Sequence, residues 1–166
     1  MRRAFCALLT VALIAGADRA ATSASAASAL NPELSVILPP KAFTLVNYCP
    51  DAPRAALPPT RAEVTELEAR LGAILADRLN AVARSHRHGE ELKVADYYRQ
   101  YSALVIGARR LIHVNGFHRF LVEGNSRAPD WRNVPVCVFD GGERFFGVEY
   151  DPETKTFSNF AFHGEA

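Results

Sequence analysis

Apolar residues recur every three or four positions between positions 64 and 82, and the charged residues between them lie mostly on the other side. This spacing is typical of an amphipathic helix with one apolar stripe. The sequence Thr60-Arg61-Ala62-Glu63 directly precedes it, follows two prolines, and matches the S/T-x-x-E capping box. The chain therefore predicts one long helix from Thr60 to about Ser85. Its stripe consists of Val64, Leu67, Leu71, Ile74, Leu75, Leu79 and Val82.

The C-terminal half alternates between apolar and polar residues, which predicts strands. The runs "YRQYSALVI" and "RRLIHVN" flank Gly107-Ala108, a plausible tight hairpin. The run "FHRFLVE" is either a third strand or a bent continuation of the second after Gly116. The runs "VPVCVFD", "RFFGVEY" and "TFSNFAFHG" then predict a meander, with turns at "DGGE" (140–143) and "DPETK" (151–155).

Seven prolines lie between positions 30 and 59. Proline at this density argues against a helix and restricts any strand to a sheet edge. The runs "LSVIL" and "AFTLVNY" in this region are therefore expected to be edge strands or parts of an extended arm. The predicted organisation is a Pro-rich arm over residues 30–59 and a single α+β domain over residues 60–166.

The predicted helix has no partner helix of similar length, so its apolar stripe must pack on the sheet. The predicted fold is α+β, with one long amphipathic helix on a curved, antiparallel, four- to five-stranded sheet. This element order resembles the cystatin-like and NTF2-like architectures. The resemblance concerns architecture alone and implies no function.

The first 29 residues have the order of a secretory signal peptide. A basic start at Met1-Arg2-Arg3 precedes the apolar run "AFCALLTVALIAGA" and the small residues of "DRAATSASAASA". Cleavage is expected after Ala26 or Ala29, and the apolar run is shorter than the roughly 20 residues of a membrane span. The alternative is an uncleaved N-terminal anchor. Cleavage predicts a secreted or periplasmic protein.

Removing residues 1–26 leaves 16 basic and 17 acidic residues. A nearly neutral chain lacks the basic patch that nucleic acids and anionic lipids require. We therefore expect no nucleic-acid partner, and no membrane association once the signal peptide is cleaved.

Two cysteines remain after cleavage, Cys49 and Cys137. In an oxidising compartment a pair is usually bonded, so we predict a Cys49–Cys137 disulfide, with two isolated buried thiols as the alternative. The chain has no CxxC spacing and no phosphate-binding loop, and we predict neither a metal nor a cofactor.

Side-chain parity divides the predicted sheet into two faces. If Tyr150 pairs with Thr156, one face packs under the helix and carries Phe146, Val148, Tyr150, Phe160 and Phe162, with Ile112 and Val114 from the earlier hairpin. The outer face is mixed. It carries Phe145, Gly147, Glu149, Phe157, Asn159, Ala161 and His163, together with His113 and Asn115.

Three interpretations of the outer face stay open. It is a solvated face, a catalytic site in which His113 or His163 acts as a base oriented by Glu149, or a binding surface. Exposed phenylalanines favour binding over chemistry. The candidate binding residues are Phe145, Phe157, Asn159 and Trp131, although Trp131 could instead fold back over the sheet edge.

We therefore predict a small exported binding or inhibitory protein that is not an enzyme, with a protein partner on the outer sheet face. One alternative is a small enzyme with a His/Glu site in a pocket under the curved sheet. The other alternative is a structural protein of the cell envelope.

Overall fold

The computed structural model describes residues 31–45, 57–85 and 91–164, which form one helix packed on a five-stranded sheet. The strands follow the order β1-β2-β3-β4-β5 across the sheet. Strand β1 runs parallel to β2 and the other pairs are antiparallel, so the sheet is mixed and the fully antiparallel prediction is wrong. The elements are β1 (Ser35–Ile37), α1 (Arg61–Ser85), β2 (Tyr97–Ile106), β3 (Arg109–His118), β4 (Phe145–Asp151) and β5 (Thr156–Phe162).

Helix α1 confirms the predicted helix and its capping box. The Glu63 amide donates to Thr60 Oγ1 at 3.2 Å, and the Thr60 amide donates to Glu63 Oε2 at 2.7 Å. These two bonds satisfy donors that a helix start otherwise leaves open. The stripe residues Leu67, Leu71 and Leu75 are fully buried against the sheet.

The helix-facing side of the sheet forms the first core. Five strand residues that parity assigned to this side, with Ile112 and Val114, all pack there, which confirms that part of the prediction. Gly116 is required by the same packing, because a Cβ at this position would lie 2.0 Å from the Phe146 ring. The confirmed residues from β4 and β5 are Phe146, Val148, Tyr150, Phe160 and Phe162.

The hairpin at Gly107-Ala108 is confirmed, and it joins two ten-residue strands. Gly107 has φ +62, a backbone conformation that glycine adopts without strain. Strand β3 continues through Gly116 to His118 and a 3-10 turn follows at Arg119–Leu121, so "FHRFLVE" is not a separate third strand.

The predicted strand "VPVCVFD" is wrong, and β4 pairs directly with β3. Residues 134–140 lie across the outer face of the sheet, where Val136 N–H donates to the Gln100 side chain at 2.8 Å. The predicted hairpin turn at 140–143 is also wrong, because Gly141 and Gly142 N–H donate to the Gly164 carbonyl. The fifth strand is instead β1, from the proline-rich region, where "LSVIL" was an edge-strand candidate.

The register between β4 and β5 differs from the predicted one. Tyr150 faces Phe157 rather than Thr156. Farther along, Gly147 faces Ala161 and Glu149 faces Ser158, so β5 contains one extra residue at a β-bulge. Asn159 at this bulge has φ +53, in the left-handed region. The extra residue lets Phe157, Phe160 and Phe162 all pack towards α1 despite their uneven spacing.

A second core lies on the opposite side of the sheet. Residues 119–144, which we call the cover segment, follow β3 and precede β4 in the sequence, and they cross this outer face. Trp131 and Val136 of the cover segment pack against Tyr98, Phe117 and Phe145 of the strands, and all five side chains are buried. The described part of the chain therefore has three layers: helix, sheet and cover segment.

Candidate functional site

The predicted aromatic binding residues are not exposed together on the outer face. Phe145 lies on that face but is only 3% exposed, because the cover segment packs on it. Phe157 is half-buried on the helix-facing side, with its ring 4.8 Å from that of Tyr150, so its predicted outer-face position is wrong. The register shift accounts for that error. Trp131 is buried in the second core, as the fold-back alternative expected.

Two outer-face amides hold the cover segment. Gln100 Nε2 donates to the carbonyls of Trp131 at 2.5 Å and Val134 at 2.8 Å. Asn115 Nδ2 donates to Gln100 Oε1 at 3.0 Å and to the Val136 carbonyl at 2.7 Å. Buried backbone groups of an irregular segment need such partners. Polar residues at these two positions are therefore explained by their role as anchors for a peptide segment of the same chain.

The structure brings together two of the three catalytic candidates. His113 and Glu149 are direct cross-strand partners on β3 and β4, and both are half-buried. Asn159 Nδ2 donates to Glu149 Oε2 at 2.7 Å from the bulge. An imidazole, a carboxylate and an orienting amide therefore share one place on the outer face. Such a group can bind a hydrogen-bonding ligand or position a proton acceptor.

His163 is separate from this group. Its backbone N–H donates to the Phe145 carbonyl at 3.0 Å, and its ring stacks on the Phe145 ring at 5.8 Å. Phe145 and Glu149 lie four residues apart along β4, which corresponds to about 13 Å. His163 and Glu149 therefore do not form one site.

Two exposed aromatic residues lie near the Phe145 end of the sheet: Phe120 contacts the Phe145 ring, and Phe139 precedes Asp140, which bridges to Gly164. Phe120 and Phe139 are 47% and 53% exposed. The Phe120 ring contacts Phe145 edge-on at 6.0 Å, and the Arg144 guanidinium lies 5.2 Å from the Phe120 ring centre. We call Phe120, Phe139 and Arg144 the aromatic end. Sequence reasoning missed it, because Phe120 and Phe139 fell inside predicted strands and periodicity alone does not report exposure.

Sequence reasoning also missed a buried ionic cluster between α1 and β2. Arg99 is fully buried and its guanidinium donates to Glu68 Oε1 at 2.9 Å and to the Asn31 carbonyl at 2.6 Å. Tyr101 OH donates to the same Glu68 oxygen at 2.6 Å, and burial raises the pKa of this phenol. The cluster ties the helix, the sheet and the segment that precedes β1 to one another. Breaking a buried pair by removing one partner is costly, so this cluster has a structural role.

Two carboxylates at the hairpin end of the sheet have strongly lowered pKa values. A hydrogen bond from Arg110 lowers the pKa of Glu63 to about 2, with further help from Thr60. A hydrogen bond from Arg109 lowers the pKa of Asp151 to about 2, and the amides of Thr154 and Glu153 contribute. Both groups stay ionised at neutral pH and stabilise local structure. The Asp151 contacts also confirm the predicted turn at residues 151–155.

Cys137 is half-buried in the cover segment and is disulfide-bonded. Its partner lies outside the described residues, as do Cys49 and the predicted signal peptide, so the Cys49–Cys137 pairing stays a prediction. Within residues 31–45, 57–85 and 91–164, no three His, Cys, Asp or Glu side chains come together in a way that could hold a metal ion. Over the same residues, no helix has the length and apolar character to span a membrane.

No protein-family model, curated protein or solved structure matches this chain.

Proposed function

We propose that this protein is a small exported binding module whose protein partner contacts the aromatic end. The observation that supports this proposal is the exposure of Phe120 and Phe139, at 47% and 53%. Exposed aromatic side chains beside an arginine are typical of protein interfaces, where aromatic residues and Arg are enriched. The proposed contact surface therefore consists of cover-segment residues, and not of Phe145 and Phe157 as the sequence predicted.

The surroundings of Phe120 hold its ring in place. Its ring contacts the buried Phe145 ring on one side and stacks with the buried His118 ring at 5.9 Å on another. An aromatic side chain that is already ordered loses little conformational entropy when a partner binds. This preorganisation supports a role as an interface anchor.

Export remains part of the proposal. The order of basic, apolar and small residues before Leu30 supports a cleaved signal peptide and a secreted or periplasmic location. A Cys49–Cys137 disulfide is consistent with that location. The cystatin-like or NTF2-like analogy likewise stays a proposal about the architecture.

A second candidate function is catalysis or small-ligand binding at the His113–Glu149–Asn159 group. The observation in its favour is the 2.7 Å hydrogen bond by which Asn159 orients Glu149, opposite His113. Bulges and left-handed residues are over-represented next to active sites. This site would lie on the outer face rather than under the helix.

Replacing single exposed aromatics tests the proposed binding function. We expect Phe120→Ser and Phe139→Ser to reduce capture of a partner from an extract of the cell envelope, or to reduce self-association measured by sedimentation. The matched control is Ile106→Ser, because Ile106 is 52% exposed at the opposite end of the sheet. Surface changes of this kind alter stability by only about 0.5 kcal/mol, so the melting temperature should hardly change. Equal losses in all three variants, or none, would contradict the proposal.

A further inference from the structure

The aromatic end already holds a piece of extended peptide, the residues His163 and Gly164, which we call the latch. Phe145 O accepts from His163 N–H at 3.0 Å, as in strand pairing. The Gly164 carbonyl accepts from Gly141 N–H at 3.0 Å and Gly142 N–H at 3.2 Å. The latch thus makes three backbone hydrogen bonds beside an exposed aromatic surface.

The residues that receive the latch have a specific shape. Gly142 has φ +54, a left-handed conformation that lets successive amides converge on one acceptor. Gly141 lies against the Phe145 ring so closely that a Cβ there would come within 2.3 Å of it. The pattern "DGGE" therefore serves as a cradle for a peptide carbonyl next to an aromatic floor.

The side chain of the latch fits this cradle imperfectly. The His163 and Phe145 rings stack with their centres 5.8 Å apart, so a planar side chain is favourable at this position. Its Nδ1 atom is buried without a hydrogen-bond partner. A buried polar atom without a partner is unfavourable. A phenylalanine ring at this position would keep the stacking without that cost.

We propose that the latch position is a docking site for an extended segment of a partner protein, added alongside β4. The partner's aromatic side chain takes the place of the His163 ring, and its next carbonyl binds Gly141 and Gly142. Phe120, whose ring packs edge-on with Phe145, and the exposed Phe139 then flank the docked segment. This inference rests on the proposed function at the aromatic end and specifies its ligand. Strand addition of this kind is a recurring mode of peptide recognition.

The latch can yield to a competitor because it has few contacts. Gly164 is exposed, and the contacts described for the latch are the three backbone bonds, the isolated bridge between Gly164 and Asp140, and the ring contact with Phe145. Segments with so few buried contacts open at low free-energy cost. Because only the open form can bind a competing peptide, the apparent affinity is reduced to the intrinsic affinity multiplied by the open fraction.

A peptide titration of the full chain tests this docking site. The probe is the capped tetrapeptide AFFG, which copies residues 161–164 with phenylalanine in place of His163. The host variant is His163→Pro, which removes the N–H and the ring of the latch. We expect saturable shifts of the Gly141 and Gly142 amide signals by NMR. Binding to the unchanged chain should be weaker by about tenfold or more, because the latch competes.

Two controls keep the test decisive. The peptide AFAG keeps the phenylalanine that copies Phe162 but lacks a ring at the position of His163. It should bind the His163→Pro variant at least about fivefold more weakly than AFFG does. The variant His163→Phe should close the latch more firmly, so that amide exchange at Gly141 and Gly142 slows by about fivefold or more. This second measurement stands even if His163→Pro does not fold.

Equal binding of AFFG and AFAG, or unchanged amide exchange in His163→Phe, would overturn the docking site. That result leaves the proposed function intact if Phe120→Ser still abolishes partner capture. Loss of the Phe120→Ser effect with peptide binding retained would instead reject the protein partner at the aromatic end.

Discussion

Both faces of the sheet carry a buried core cluster, but the two faces are covered in different ways. Phe146 and Phe145 are neighbours on β4 and point to opposite faces, and each lies in a core cluster. The Phe146 side is covered by α1, a 25-residue helix. The Phe145 side is covered by residues 119–144, where short 3-10 turns are the regular structure.

This difference explains why the outer face carries the side-chain amides of Gln100, which is buried, and Asn115, which is half-buried. A helix satisfies its own backbone hydrogen bonds, so it can cover a sheet through apolar contacts alone. The cover segment cannot do so, and Gln100 and Asn115 supply partners for its backbone at 2.5–2.8 Å. Polar residues on a sheet face can thus indicate a covering peptide as well as an active site.

The largest loss of stability is expected from a substitution in the core between α1 and the sheet. Leu71 is fully buried between α1 and the sheet. Leu71→Ala should lower the free energy of unfolding by about 3 kcal/mol, within the usual range for a buried leucine. Urea unfolding can follow both faces, because far-UV circular dichroism reports α1 and Trp131, the single tryptophan, reports the second core.

We expect both signals of Leu71→Ala to shift together, because the two cores share the same strands. The matched control is Val105→Ala at the exposed hairpin end, which should change stability little. An unchanged Trp131 transition in Leu71→Ala would show that the two faces unfold independently.

An intermediate effect is expected on the outer face. Gln100→Ala leaves buried backbone groups of Trp131, Val134 and Val136 without their partner. The expected loss is about 2 kcal/mol, and Trp131 emission should shift to the red before the helix signal changes. Asn133→Ala is the control, since Asn133 is exposed and its side-chain amide donates to Asp130 within the cover segment. Coincident transitions in Gln100→Ala would contradict a separately held cover segment.

The elements that follow local rules could be predicted from the sequence. The capping box at Thr60, the stripe of α1 and the turns at Gly107 and Asp151 depend on residues close in sequence. The strand assignment of "VPVCVFD" failed because alternation also arises when a segment lies across a sheet face. Which of the two occurs depends on Gln100 and Asn115, far away in sequence.

The candidate site could be predicted only in part for the same reason. Parity correctly placed His113 and Glu149 on the same face, but the direct β3–β4 pairing that makes them cross-strand partners was not predicted. It misplaced Phe157, because Tyr150 faces Phe157 rather than Thr156, and the bulge at Asn159 then returns Phe160 and Phe162 to the helix-facing side. The exposure of Phe120 and Phe139 depends on the path of the cover segment, which has no periodic pattern.

The smallest expected change in stability is at Glu63, and its dependence on pH distinguishes the helix-facing side from the outer face. Arg110 lowers the pKa of Glu63 to about 2 from its ordinary value of 4.5, whereas the amides of Gln100 and Asn115 do not titrate. Because the folded pKa lies below the unfolded one, the stabilisation is fully present above about pH 5 and is lost as pH falls towards 2.

Glu63→Gln keeps an N3 side chain that can complete the capping box but removes the charge. Glu63 is 25% exposed, so water weakens the pair and the variant should lose only about 1 kcal/mol at pH 7. Urea unfolding at pH 7, 5, 4 and 3 should show a shallower acid loss in Glu63→Gln than in the parent, since its own contribution no longer titrates. Gln100→Ala should keep the parental pH slope while being less stable at every pH. If the free energy of unfolding fell equally steeply with decreasing pH in the parent and in Glu63→Gln, the Glu63–Arg110 pair would contribute nothing to stability. Acid would then act through other carboxylates, such as Asp151, whose pKa Arg109 also holds near 2.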